Sequence, residues 1–593
     1  MPQPLLFAAL PALYSLTLFV SAGLLFAVEL MIAKMILPLF GGTPAVWNTC
    51  MMFFQALLLA GYAYAHLSGT RLALNRQITI HLATLAVACI FLPVTVPRGL
   101  APEAGGHPTS WIILLLTLSV GLPFFGLSAT TPLLQKWFTR TGHPSARDPY
   151  FLYSASNLGS MLTLLGYPLW IEPQLRLVDQ GRAWAVVYVV LLLLSLLCAL
   201  SVRRYAPLCA LTGEKENRAA GEECKDREAP LSHWQRIYWV LLAFVPSSLM
   251  LGVTTFLSTD VAAIPLFWVV PLALYLLSFI LVFARIPPWV HRIAIGLMPA
   301  ALAAVIFADF SALAIPKGVI FTLHLLNLFV CAMVCHGQMA RTRPAASHLT
   351  EFYLWMSVGG VLGGVFNSLA APILFETVFE YPLILAGAAL LLPVRQKRGP
   401  GAGSRWFSGA LYVAAPSALG LAAYWVTAKG NASAWDLAWI AARTALTPET
   451  LYGGLTCGGL LLACLGLLFF RRPLLFGAGI AAVLLTMVMA KDLKENILHR
   501  ERSFFGVLTV ARDSREHYTY LSHGTTLHGM QRTDPWWRHE PVAYYHPQGP
   551  AGQAFAELPG ASRNSPIAVT GLGAGSMVYF AGPGQPIDFY EID

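Results

Sequence analysis

Fifteen stretches of about 20 apolar residues, the length that crosses the hydrocarbon core of a bilayer, run through the first 490 residues of this chain. They fall near 11–35, 48–66, 78–96, 110–133, 151–171, 183–201, 236–256, 264–284, 291–309, 318–340, 352–371, 378–394, 407–427, 450–470 and 473–490. Lipid offers no hydrogen bonds to a backbone, so such segments can cross only as helices. The expected fold is therefore a mainly α polytopic membrane protein of about 14–15 transmembrane helices. With 56% of residues apolar and only 11% charged, disorder, collagen, coiled coil and a small disulfide scaffold are excluded. The nine cysteines form no CxxC pair and none lies beyond Cys464, so they read as small apolar fillers. A cleavable signal peptide is not expected, because the N-terminus lacks a basic region and its first apolar stretch continues through Glu29 and Lys34.

The formal net charge of +9 divides unevenly: residues 1–490 carry 29 Lys+Arg against 18 Asp+Glu, and residues 491–593 carry 9 against 11. The excess positive charge therefore belongs to the membrane loops, and no nucleic-acid partner is expected. With the N-terminus placed inside, loops on its side hold 22 Lys+Arg, among them Arg71, Lys136, Arg203 and Arg395, whereas the opposite loops hold 6. This asymmetry predicts a cytoplasmic N-terminus and a cytoplasmic loop Ser201–Arg236, with the lipid bilayer as the first partner.

An internal repeat organises the spans. Leu158-Gly159, Pro168-Leu169 and Glu172 recur 204 residues later as Leu362-Gly363, Pro372-Ile373 and Glu376. Two six-helix halves of the major-facilitator type are the simplest account. The boundaries that follow are 1–200 for the first half, 201–235 for a charged cytoplasmic linker, 236–394 for the second half and 395–490 for additional transmembrane helices. Residues 491–560 read as a small β domain and 561–593 as the incomplete start of a Rossmann-like nucleoside-binding domain.

Glu29 and Lys34 lie inside the first span, where desolvation makes a charge costly and a functional role a standing candidate. Five residues apart on a helix, they do not share a face. Each needs a partner from another helix, or, for Lys34, the interface. Asp260, Glu172 and Glu376 lie at span ends, where solvation is expected. Beyond Lys491, Ser503–Val510 and His517–Leu521 read as strands separated by the charged turn Asp513–Glu516. Further on, Pro566–Thr570 reads as a buried strand entering a turn of Gly571, Gly573 and Gly575, then a helix, then a second strand ending in Glu591. Glycines there let the backbone approach a ligand, and the acid is placed to hold ribose hydroxyls. The spacing GxGxG favours an adenosyl-methionine-type nucleoside over NAD. His523, His528, His539 and His546 lack metal-ligand spacing, so no metal is expected.

Arg502–Val507, His523–Gln531, Tyr544-Tyr545-His546 and Val569–Gly575 with Glu591-Ile592-Asp593 resemble spermidine synthases, specifically the bacterial fused family with a major-facilitator-like membrane half. Phe19–Gly42 and Cys335–Arg341 are similar to the membrane half of that family. The resemblance implies decarboxylated S-adenosylmethionine, or S-adenosylmethionine, as co-substrate and a small-molecule amine such as putrescine as acceptor. It places Gln531 at the cofactor's amino-acid-like tail, Tyr545 and His546 at the amine pocket, Gly571, Gly573 and Gly575 at the nucleoside and Glu591 on the ribose. A homodimer is compatible with it. Counterparts of the family's later acids are absent from the 593 residues, so no catalytic residue is assigned. The chain is accordingly expected to be a fragment of a longer reading frame or to carry a decayed enzyme half. The function expected is aminopropyl transfer to a diamine, with a membrane transporter of polyamines or another small solute as the alternative. Fifteen spans would leave residue 491 and its successors on the side opposite the N-terminus. S-adenosyl nucleosides are cytosolic, so a count wrong by one and a cytoplasmic C-terminal domain are expected instead.

Overall fold

A computed structural model describes residues 7–97, 107–147, 149–219, 231–260, 268–283, 287–310, 315–344, 348–393, 472–494, 496–513, 517–524, 526–557 and 565–591. The expected spans 407–427 and 450–470 lie outside the described residues. The first half consists of α1 (Leu10–Phe40), α2 (Pro44–Arg71), α3 (Leu74–Ala88), α4 (Pro108–Thr139), α5 (Tyr150–Gly166) and α6 (Leu177–Ala219). The second consists of α7 (His233–Asp260), α8 (Val269–Phe283), α9 (Pro288–Phe310), α10 (Lys317–Arg341), α11 (Leu349–Val365) and α12 (Glu380–Leu390). A further helix, α13 (Pro473–Lys494), follows. Nine helices among the described residues are long and apolar enough to cross a bilayer, and α8, α12 and α13 supply shorter apolar helices. The protein is a multi-pass membrane protein built as two six-helix halves in tandem.

The repeat is real, but its register differs from the one its sequence identities suggest. Both α5 and α11 are 17 residues long, and each runs into a five-residue π-helical segment, Tyr167–Ile171 and Phe366–Ala370. Corresponding starts and ends are thus 199 residues apart, not 204. The shared Leu-Gly and Pro matches sit five residues out of step, because close packing asks only for a small residue somewhere on the contact face. Gly159 meets the Phe19 carbonyl of α1, and Gly359 meets the Val240 carbonyl of α7, so that a Cβ at either position would collide with backbone. α5 therefore lies tight along α1 and α11 tight along α7. α6 also departs from expectation, running helical past residue 200 to Ala219.

Contacts sort the helix ends. At the N-terminal end of the bundle Trp239 Nε1 donates to Thr342 Oγ1, the Arg236 guanidinium pairs with Glu351, and His66 Nδ1 lies 2.9 Å from Thr350 Oγ1. At the far end Lys34 pairs with Glu172, Asn48 with Thr255, and the Trp47 and Trp268 rings stack. Gly477 of α13 packs on Leu390 at the close of α12, so α13 runs antiparallel to α12 and delivers the chain to the far end.

There the chain forms a four-stranded antiparallel meander, β1 (Asn496–Arg502), β2 (Val507–Arg512), β3 (Tyr518–His523) and β4 (Thr526–Arg532), in the order β1-β2-β3-β4. Two of these strands, β1 and β4, were not among those expected. Ser503–Gly506 is a turn, closed by Ser503 N–H on the Gly506 carbonyl, and a Cβ at Gly506 would collide with the His523 imidazole. After helix α14 (Pro550–Glu557), β5 (Ile567–Thr570) and β6 (Ile587–Tyr590) pair in parallel. The helix expected between them is a five-residue 3₁₀ turn, Ser576–Phe580. Gly582, Pro583 and Gly584 follow at once and stop any longer helix. β5 is not the buried strand expected, since alternate residues are exposed.

The C-terminal module thus stands at the far end of the bundle, not at the N-terminal end expected of a cytosolic nucleoside site. Arg502 at the end of β1 donates through Nη1 and Nη2 to both carboxylate oxygens of Glu380, at 3.1 and 2.7 Å. The same guanidinium reaches the carbonyls of Thr377, at 2.7 Å, and Phe375, at 3.4 Å.

Candidate functional site

Two groups of polar residues qualify, one inside the bundle and one on the C-terminal module. In the bundle the halves meet where α2 lies against α7 and α11. Asn48 Nδ2 donates to Thr255 Oγ1 at 3.0 Å, and Gln55 Nε2 to Ser247 Oγ at 3.2 Å. Both hydroxyls pass their own protons to carbonyls, Thr255 to Leu251 and Ser247 to Gly360. The hydroxyls must therefore accept from the amides, which fixes both amide orientations. Asn48 Oδ1 and Gln55 Oε1 are left buried with no hydrogen-bond partner. Asn367 adds a third inter-helix amide, donating to Ser248 Oγ and the Gly363 carbonyl.

Glu29 lies on α1 with 5% of its surface exposed, and its Oε2 has no partner. Lys34 is not its counter-ion: that lysine pairs with Glu172 just beyond the π-helical segment of α5. Glu172 is accordingly held by a cation as well as by solvent, with its side chain 31% exposed. A buried carboxyl without a cation or donors is costly to keep ionised and calls for a proton or a cation. Aromatic rings close the inter-half seam on either side of these groups. Trp47 and Trp268 stack with centroids 3.3 Å apart toward the far end. Tyr353 stands 5.3 Å from Tyr153 and 6.0 Å from Tyr62 toward the N-terminal end.

On the C-terminal module, Gly571, Gly573 and Gly575 take φ of +89°, +54° and +70°, values that a side chain would oppose. Their turn presents the Leu572 N–H to Glu591 Oε2 at 2.6 Å, so the acid at the end of β6 does sit at the glycine turn. β4 lies alongside: Gly529 faces Ala574 and leaves no room for a Cβ. Ala543, a non-glycine residue at φ +58°, turns Tyr544 and Tyr545 toward this region, a conformation costing about 1–2 kcal/mol. The Tyr544 phenol, pushed up to about 12 by burial and then by Tyr545, stays protonated and donates to the Leu527 and His528 carbonyls. The Tyr545 hydroxyl stands beside Gly573. Gln531 shares a strand face with Gly529, and its Nε2 donates to the Arg538 carbonyl. His546 turns back on its own loop, Nδ1 accepting from the Gln548 N–H. Glycine turn, Glu591 and Tyr545 are thus brought together, whereas Gln531 and His546 spend their polar atoms on local turns. Among the described residues no group of three or more His, Cys, Asp or Glu is placed to hold a metal ion.

Glu380 and Arg502 escaped the sequence reading, since nothing local marks a pair 122 residues apart.

The fold and the inter-half seam define a multi-pass membrane protein of two tandem six-helix halves carrying a small C-terminal β module. No family model and no curated protein matches the chain. Among solved structures, similarity is found to the inward-open xylose transporter XylE from E. coli, at 13% identity and a TM-score of 0.42, over 65% of this chain and 98% of that one. Tetrameric PepTSo2 is similar at 14% identity and a TM-score of 0.39, over 65% and 95% of the two chains. A bacterial homologue of the lysosomal transporter Spinster follows at 14% and 0.34, over 83% and 96%.

Proposed function

We propose that the chain is an integral-membrane transporter of polyamines or another small solute, resident in a bacterial-type inner membrane with its N-terminus cytoplasmic. The observation that carries the reading is the inter-half seam, where the oriented amides of Asn48 and Gln55 are buried with unpartnered oxygens between two aromatic layers, with the unpartnered carboxyl of Glu29 buried on α1 within the first half. Burying such atoms in a membrane is costly, which makes them candidates for contact with a permeating group or its coupling ion. The hydroxyl–amide pairs Asn48–Thr255 and Gln55–Ser247, which join the halves, can exchange partners as one half rocks against the other. Purified protein reconstituted in proteoliposomes is expected to take up labelled putrescine or spermidine along an imposed proton gradient, and empty liposomes are not. Uptake equal in both, across amines, sugars and peptides, overturns the proposal.

A second reading is favoured by the contact of Glu591 with the glycine turn and by Tyr545 beside it: a nucleoside site serving aminopropyl transfer from decarboxylated S-adenosylmethionine. In that reading Glu591 holds ribose hydroxyls and the positive-φ glycines admit the nucleoside backbone-close. Calorimetry on the detergent-purified chain should then show micromolar binding of decarboxylated S-adenosylmethionine, weakened at least about tenfold in Glu591→Ala by loss of the charged hydrogen bonds. Equal heats for the two proteins would remove the assignment.

A further inference from the structure

Arg502 and Glu380 form an ion pair whose side chains are 10% and 3% exposed. Glu380 opens α12, and Phe375 and Thr377 belong to the connection between α11 and α12. One guanidinium therefore ties together the far-end connection of the second half. In the first half the matching place needs no outside help: Lys34 of α1 reaches Glu172 beyond α5. The equivalent helix of the second half, α7, carries no lysine or arginine after Arg236. The missing cation is supplied by the C-terminal module, whose Phe504, two residues on, also packs against the membrane core.

We propose that the C-terminal β module is an extracytoplasmic strap, holding the far end of the second half closed through the Arg502 clamp on Glu380, Thr377 and Phe375. The proposal rests on the transporter reading and on the N-terminus being cytoplasmic. The far end, where the loops are poor in Lys and Arg, then faces out. A planar guanidinium making two carboxylate bonds and reaching two carbonyls is directional, so partial opening of the connection breaks it as a unit. Whatever binds or displaces the module meets it outside the cytoplasm and biases the outward opening of the transporter.

Two measurements, neither of which requires transport, test this. Gln548→Cys on the exposed loop after Tyr545 should react with a membrane-impermeant maleimide in spheroplasts. Labelling only after lysis overturns the sidedness. Cys50, 1% exposed on α2 near its Pro44 end, reports opening of the far end. Its alkylation rate, read by peptide mass spectrometry, should rise about tenfold in Arg502→Ala, a typical size for coupling between sites. Glu380→Gln should raise the rate less, and Arg502→Lys should fall between wild type and Arg502→Ala. Unchanged rates in Glu380→Gln and in well-folded Arg502→Ala overturn the strap. Should Arg502→Ala not fold, Glu380→Gln, which keeps shape and one acceptor, decides alone. Failure to find a transported solute would leave both results standing.

Discussion

Glu29→Gln should leave a folded, monodisperse protein whose gradient-driven uptake is lost by about 100-fold, at the upper end of measured couplings between sites. The amide keeps the volume of the carboxyl, so the apolar neighbours on α1 and α2 stay in place. It cannot take up and release a proton or neutralise a cation, so any cycle that uses the unpartnered Oε2 stops. Thermal stability should hold or rise, because the substitution removes the cost of a buried ionisable group without a partner. Counterflow exchange of labelled for unlabelled solute, which requires no net coupling, should persist. If driven uptake matches wild type, Glu29 is structural and the seam's unpartnered amides must carry transport without it.

The second large effect falls on the glycine contacts. Gly159→Leu and Gly359→Leu should each destabilise the bundle by about 3 kcal/mol or more, seen as loss of the monodisperse peak on mild heating. In both, the new side chain would meet a backbone carbonyl of the facing helix, Phe19 in one half and Val240 in the other, and backbone cannot swing aside as a side chain does. Gly166→Leu is the control, since nothing lies within 4 Å of the position its Cβ would take. Equal thermal profiles for Gly159→Leu and Gly166→Leu would show that the α1–α5 approach is looser than its geometry implies.

What the sequence revealed, and what it hid, divides by range. Helix positions were legible because a bilayer imposes a length and a polarity that each span satisfies by itself. The tandem halves were legible for the same reason, although the register was misplaced by five residues, since Leu, Gly and Pro recur too often in membrane helices to fix one. In the C-terminal module Val569–Gly575 and Glu591 announced the glycine turn and its acid, which the structure joins through Leu572. β1 stayed hidden because His499, Arg500, Glu501 and Arg502 look like a solvated run. Their strand conformation comes from pairing with β2, with Arg502 opposite Val507 and Arg500 opposite Thr509. The partners of Lys34 and Arg502 stayed hidden too, at separations of 138 and 122 residues. The end of the bundle at which the module stands follows from the second of those pairs.

The π-helical segments Tyr167–Ile171 and Phe366–Ala370 give each half a ratchet position. A π turn is an α turn carrying one surplus residue. Deleting a single residue from Tyr167–Ile171 would let the α-helix close up and rotate everything beyond it by about 100°. Glu172 would swing off Lys34 while the Gly159 crossing stayed where it is. The tip of the fifth helix can therefore be re-aimed independently of its shaft, so that the same shaft could present different tips in descendants of the chain.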